Sequence, residues 1–192
     1  MKNLSKVRVA ALGAVGLAGV ITPLALAGPA SAANPGNGAV VIKSQAQADL
    51  LMNTQGGVIN KNVDVPQGVN VQLRYVDIKG NLNVEGKLSL ASSQIEGYAT
   101  VSGPGAGLSL FNDPGNHFWH DLTVNAAGGY YDGSWINTGL GVYSNGQQVD
   151  GSLAFTNNTG SATNFSGSMT VNGSLTYSGN ALPYAGGLTV GH

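Results

Sequence analysis

The residues best suited to chemistry sit close together, in the run Asn116-His117-Phe118-Trp119-His120-Asp121. Two imidazoles and a carboxylate are ligand types for zinc or copper. An i, i+3 histidine pair converges when it lies on a helix. Here the run leads into Leu122-Thr123-Val124, whose alternation reads as a strand, and no third ligand is evident. His117, His120 and Asp121 are therefore weak metal candidates, and no metal is expected. The surrounding segment, Phe111–Tyr143, holds Phe111, Phe118, Trp119, Tyr130, Tyr131, Trp135 and Tyr143. It also carries Asp113, Asp121 and Asp132 and no Lys or Arg. Aromatic rings stack on the C–H faces of sugars, and carboxylates accept hydrogen bonds from sugar hydroxyls. Trp119, Trp135, Tyr130, Tyr131, Asp113, Asp121 and Asp132 thus form a candidate glycan site. The competing reading is that the rings pack a protruding loop or a widened turn, because large aromatics stabilise by burial.

Other chemistries find less support. A glycosidase needs two carboxylates facing one bond, and no Asp-Asp or Asp-x-Asp doublet concentrates them here. Asp113 and Asp132 stand in Asn-Asp-Pro-Gly and Asp-Gly, which are turn sequences. A polysaccharide lyase needs a basic group to abstract a proton, and no Arg follows Arg74 and no Lys follows Lys87. The G-x-S-x-G serine elbow is absent. Gly103-Pro104-Gly105-Ala106-Gly107 lacks the spacing and the lysine of a phosphate-binding loop. The catalytic residues are unknown, the balance leans against an enzyme, and no cofactor is expected.

The amino terminus reads as an export signal. Lys2, Lys6 and Arg8 precede an uncharged, mostly small and apolar stretch from Val9 to Ala27. Ala30-Ser31-Ala32 then gives the small-x-small pattern of signal peptidase cleavage, after Ala32 or Ala33. The expectation is a cleaved signal over 1–32, a product secreted from a bacterial cell and no membrane anchor afterwards. Loss of the three leading cations leaves five basic against nine acidic residues, about −4 in formal charge. The five all lie between Lys43 and Lys87, so no basic stripe exists for phosphates and nucleic acid is excluded as a partner. There is no cysteine, so no disulfide supports the exported domain.

The elements that would position these residues follow from periodicity. After a lead at 33–38, Ala39-Val40-Val41-Ile42 reads as a short strand. Ser44 and Gln47 fit a capping box for a helix carrying Ala48, Leu50, Leu51 and Met52. Gly56-Gly57 ends it. From 57 to 192 short alternating pairs recur every six or seven residues: Val63/Val65, Val69/Val71, Val76/Ile78, Leu82/Val84, Leu88/Leu90. Three such steps suggest a coil of 19–20 residues, matching Val63 with Leu82, Val69 with Leu88, Val76 with Ile95 and Leu82 with Val101. The late segments beginning at Gly151, Gly167 and Gly173 read as one repeated template. Strands this short and this evenly spaced predict an all-β, three-sided parallel β-helix, its edge covered by the helix, with an aromatic-rich interruption at 111–143. A β-sandwich is the alternative.

The Val40–Ile42 strand, the Ser44–Met52 helix and the Val-Asp-Ile, Leu-Asn-Val, Leu-Ser-Leu run resemble secreted right-handed parallel β-helix proteins of the pectin-lyase-like kind. The six-residue step is also similar to bactofilin-type polymer-forming scaffolds. These resemblances imply a fold and no site residues. Two functions remain open. One is a non-enzymatic structural or adhesive module of the cell surface or matrix, meeting polysaccharide and self-associating through its coil ends. The other is a polysaccharide-active enzyme.

Overall fold

The computed structural model describes residues 38–54, 56–111, 114–128, 140–159, 164–181 and 186–190. In chain order the elements are β1 (Val40–Val41), α1 (Gln45–Thr54), β2 (Val58–Ile59), β3 (Val63–Val65), β4 (Asn70–Arg74), β5 (Asp77–Ile78), β6 (Leu82–Val84), β7 (Lys87–Ala91) and β8 (Gln94–Ile95). There follow β9 (Ala99–Ser102), β10 (Gly107–Phe111), β11 (His117–Phe118), β12 (Leu122–Asn125), β13 (Leu140–Val142), β14 (Gln147–Val149), β15 (Leu153–Thr156), β16 (Asn164–Val171), β17 (Leu175–Ser178) and β18 (Gly186–Val190).

The described chain is all-β apart from α1, and every strand pairing is parallel. From β2 to β13 each strand lies beside the strand three places on in the chain, and β1 lies beside β3. The first column runs β1-β3-β6-β9-β12-β15-β17. The second runs β2-β5-β8-β11-β14 and the third β4-β7-β10-β13. β16 is long enough to serve both, pairing with β13 through Asn164 and Phe165 and with β14 through Met169–Val171. This stacking is compatible with a β-solenoid.

Alternation places one apolar row from each column in a common core. Ile59, Ile78, Ile95, Phe118, Val149 and Val171 follow one another along the second column, all buried. Val71, Leu88, Leu108 and Leu140 do so along the third, and Val65, Val84, Val101, Val124 and Phe155 along the first. Each such side chain contributes about 1.5–3 kcal/mol by leaving water. Ser89 and Ser109, on the opposite side of the third column, are buried as well, where alternation alone would have left them in solvent.

The register corrects the sequence expectation in detail. Val63 does pair with Leu82, 19 residues on, and Lys87 with Gly107, 20 on. However, Leu88 pairs with Val71 and not Val69, Ile95 with Ile78 and not Val76, and Val101 with Val84 and not Leu82. Each error is two residues, one pleat repeat, which leaves the same face inward. Later coils are longer: Leu108 pairs with Leu140 and Leu122 with Leu153. Within 111–143 the chain still forms β11, β12 and β13 in register, so most of the departure from rhythm is added length between β12 and β13. The template starting at Gly151, Gly167 and Gly173 also divides. Gly151 and Gly173 share a corner, where a Cβ on Gly173 would strike the Gly151 backbone, whereas Gly167 sits against Ser144 at another.

The helix forms where expected. Ser44 Oγ accepts from Gln47 N at 3.3 Å, and Gln47 Oε1 accepts from Lys43 N at 2.9 Å. α1 lies along β4, the first strand of the third column. Gln45 Oε1 accepts from Gln72 N at 2.7 Å and Gln45 Nε2 donates to Gln72 O at 3.0 Å. Met52 Sδ accepts from Arg74 N at 3.1 Å. These side chains take the place of a further strand, which is how an exposed edge is kept from pairing elsewhere.

Candidate functional site

The second column is the scaffold for the residues singled out above. Its outward row is Asp77, Gln94, His117, Gln148 and Thr170. The residue following each strand forms a second row: Lys79, Glu96, Trp119, Asp150 and Asn172. Backbone bonds hold this row coil upon coil, with Lys79 N on Ile59 O, Glu96 N on Ile78 O, Trp119 N on Ile95 O, Asp150 N on Phe118 O and Asn172 N on Val149 O.

A buried amide ladder fixes where β11 begins. Asn116 Oδ1 accepts from Ser93 N at 3.0 Å, and its Nδ2 donates to Leu90 O and to Gln147 Oε1. Asn116 N donates to the same Gln147 oxygen at 2.8 Å. Both side chains are buried, and each polar atom so satisfied avoids a penalty of about 1–3 kcal/mol. His117 is thereby held facing outward.

On that face the His117 and Trp119 rings stack, centroids 4.6 Å apart and planes at 20°. The indole remains 46% exposed. His117 Nε2 lies 2.8 Å from Asp150 Oδ2. Gln148 Nε2 and Asn172 Nδ2 donate to Asp150 Oδ1 at 2.6 and 2.9 Å. The Gln148 amide first, and then His117, hold the Asp150 carboxyl below its ordinary range. One strand spacing away in the other direction, Glu96 bonds Lys79 Nζ at 2.5 Å, and Lys79 also reaches Asp77 at 2.7 Å. The two carboxylates, Asp77 first, raise the lysine pKa. At the neighbouring corner Tyr98, half exposed, stacks on His120 with centroids 5.0 Å apart.

The sequence candidates are thus distributed as follows. His117 and His120 reach different neighbours, Asp150 and Tyr98, despite their i, i+3 spacing, because β11 is extended. Asp121 Oδ1 accepts from Ser152 N at 2.7 Å. It continues a corner row in which Asn62 Oδ1 takes Asn81 N and Asn81 Oδ1 takes Tyr98 N. Among the described residues no group of three or more His, Asp or Glu is placed to hold a metal ion. Trp119 stands at the centre of the exposed face. Asp113, Tyr130, Tyr131, Asp132 and Trp135 lie outside the described residues, as do Ala30 and Ala32. No family model, curated protein or solved structure matches the chain.

Sequence reasoning did not join Asp150, Gln148, Asn172 and Tyr98 to the cluster around Trp119. Asp150 is 33 residues from His117, a separation set by the lengthened coil. The usable signal was the alternation Gln148-Val149-Asp150, which puts amide and carboxylate on one face.

Proposed function

We propose that this chain is a secreted, non-enzymatic β-solenoid of the cell surface or matrix that binds glycan on the face centred on Trp119. In this reading the three columns are the sides of a parallel β-helix, right-handed as parallel β crossovers overwhelmingly are. The observation that carries the function is the exposed indole, braced by His117 and flanked by Asp150, Glu96 and the amides of Gln148 and Asn172. A half-exposed ring held by its stacked neighbour offers a stacking platform at little entropic cost. The amides and carboxylates beside it offer hydrogen bonds to hydroxyls. Burial, the competing role for aromatics, does not describe Trp119.

The enzymatic reading has one attraction. Glu96 and Asp150 flank Trp119 two strand spacings apart, about 10 Å at the backbone, near the roughly 6.5–9.5 Å of inverting glycosidases. Yet a general acid needs a raised pKa, and Asp150 is shifted the other way while Glu96 is tied to Lys79. The Asp150 carboxyl is thus arranged to stay ionised.

The test is a glycan array probed with purified protein and its Trp119→Ala variant. Binding by the wild type and about tenfold loss in the variant is expected, since a stacking aromatic is worth about 0.5–1.5 kcal/mol beyond the area it buries. Equal binding by both would remove Trp119 from the site, and release of reducing ends from a bound polysaccharide would restore the enzyme.

A further inference from the structure

Resting on that reading, the charges around Trp119 narrow the ligand class. Two carboxylates flank the indole. Glu96 and Asp150 stand one strand spacing to either side, whereas Asp121 is engaged at the corner, where its Oδ1 accepts from Ser152 N. The one cation of the second row, Lys79, lies between Asp77 and Glu96 and is already paired with both. The other described Lys and Arg residues, Lys43, Lys61, Arg74 and Lys87, lie in the first three coils or at the helix, away from β11 and β14. The face therefore presents acceptors and net negative charge around an apolar plate.

We propose that the glycan bound here is an amino-sugar polymer with free, protonated amines. The sugar ring stacks on Trp119, and its ammonium groups meet Asp150 on one side and Glu96 on the other. The Asp150 carboxylate takes hydrogen bonds from Gln148, Asn172 and His117 and still has acceptor capacity, since two oxygens carry about four lone-pair sites. Those bonds fix its orientation and favour its ionised form, which is the form an ammonium needs. A uronic-acid or phosphate-bearing polymer would instead bring like charge against two carboxylates with no free cation to receive it.

The experiment compares four probes by tryptophan fluorescence at about pH 6 and low salt: a free-amine glucosamine oligomer, its fully N-acetylated counterpart of equal length, an oligoglucuronate and an oligolysine. The amine oligomer should bind about tenfold or more tighter than the acetylated one, equivalent to roughly 1.4 kcal/mol, and the glucuronate not at all. Salt should weaken the amine oligomer and leave the acetylated one unaffected, because only the first interaction is screened. Asp150→Asn and Glu96→Gln should each narrow the amine-to-acetyl ratio, with circular dichroism confirming the fold. If the acetylated oligomer binds as tightly as the amine, the amine inference fails while glycan binding survives. Equal affinity for oligolysine would assign the face to cationic peptide and overturn the inference. If no sugar binds, the glycan reading fails with it.

Discussion

At the residue scale, the polar side chains inside the corners matter more to the fold than to chemistry. Asn158 is fully buried. Its Oδ1 accepts from Ala127 N at 2.9 Å, and its Nδ2 donates to Val124 O and to Asn180 Oδ1. Asn158→Leu would leave the Ala127 amide unpaired in the core. The expected cost is about 1–3 kcal/mol, read as a shift in the urea midpoint. Ala126 invites the opposite change. It holds φ at 53° in a row whose equivalents include Gly103 and Gly179, both at positive φ. Relief of left-handed strain, about 1–2 kcal/mol, exceeds the unfolded-state entropy that glycine adds, about 0.4–1 kcal/mol. Ala126→Gly should therefore raise the melting temperature slightly. Asp150 gives a pH dependence. Its folded pKa lies below the ordinary 3.8, so its stabilisation is present above that value and is lost as pH falls through the folded pKa. Acid titration of Asp150→Asn should lack that component of the wild-type loss below about pH 4.

At the element scale, α1 acts as a substitute strand. Gln45 pairs with both the N–H and the C=O of Gln72, as a neighbouring strand would. Gln45→Ala should release that edge, and hydrogen exchange should show faster exchange at the Gln72 amide with little change at Leu88. Unchanged protection at Gln72 would mean that the helix backbone alone shields β4. This element was legible in the chain because Ser44 and Gln47 are local signals and Gly56-Gly57 stops the helix. Strand existence and inward faces were legible for the same reason. Register was not, because Val69, Val71 and Leu73 lie on one face and a two-residue slip changes no burial pattern. The deciding information was steric. A Cβ on Gly80 would strike the Asn62 backbone, and one on Gly97 would strike Gly80. Gly80-Asn81 and Gly97-Tyr98 therefore stack 17 residues apart, and a glycine at that corner marks register where valines do not. The candidate site was half legible. The cluster around Trp119 was visible in sequence, but its partners Asp150 and Tyr98 come from coils above and below, at separations the variable coil lengths conceal.

At the scale of the whole molecule, nearest-neighbour stacking makes a prediction that a β-sandwich does not share. Each described strand bonds only to the layers above and below it, so stability should be close to a sum over adjacent coils. A chain ending at Asn172 would lose β17 and β18 and the Asn158–Asn180 bonds, leaving the β11–β14 contacts and the core from Ile59 to Val171 in place. It should fold, keep its β-type circular dichroism, and unfold in urea with an m-value lower by roughly one-seventh, because m follows the area exposed and the first column loses one of its seven strands. The Trp119 face should be retained with it, since β8, β11 and β14 precede the cut. Removal of residues 38–56 should act differently. It strips the Gln45 and Met52 contacts from β4 and exposes a strand edge, so the expected outcome is self-association at concentrations where the parent is monodisperse. If the chain ending at Asn172 instead loses all structure, the last coil belongs to a single closed core and the additive stack is refuted.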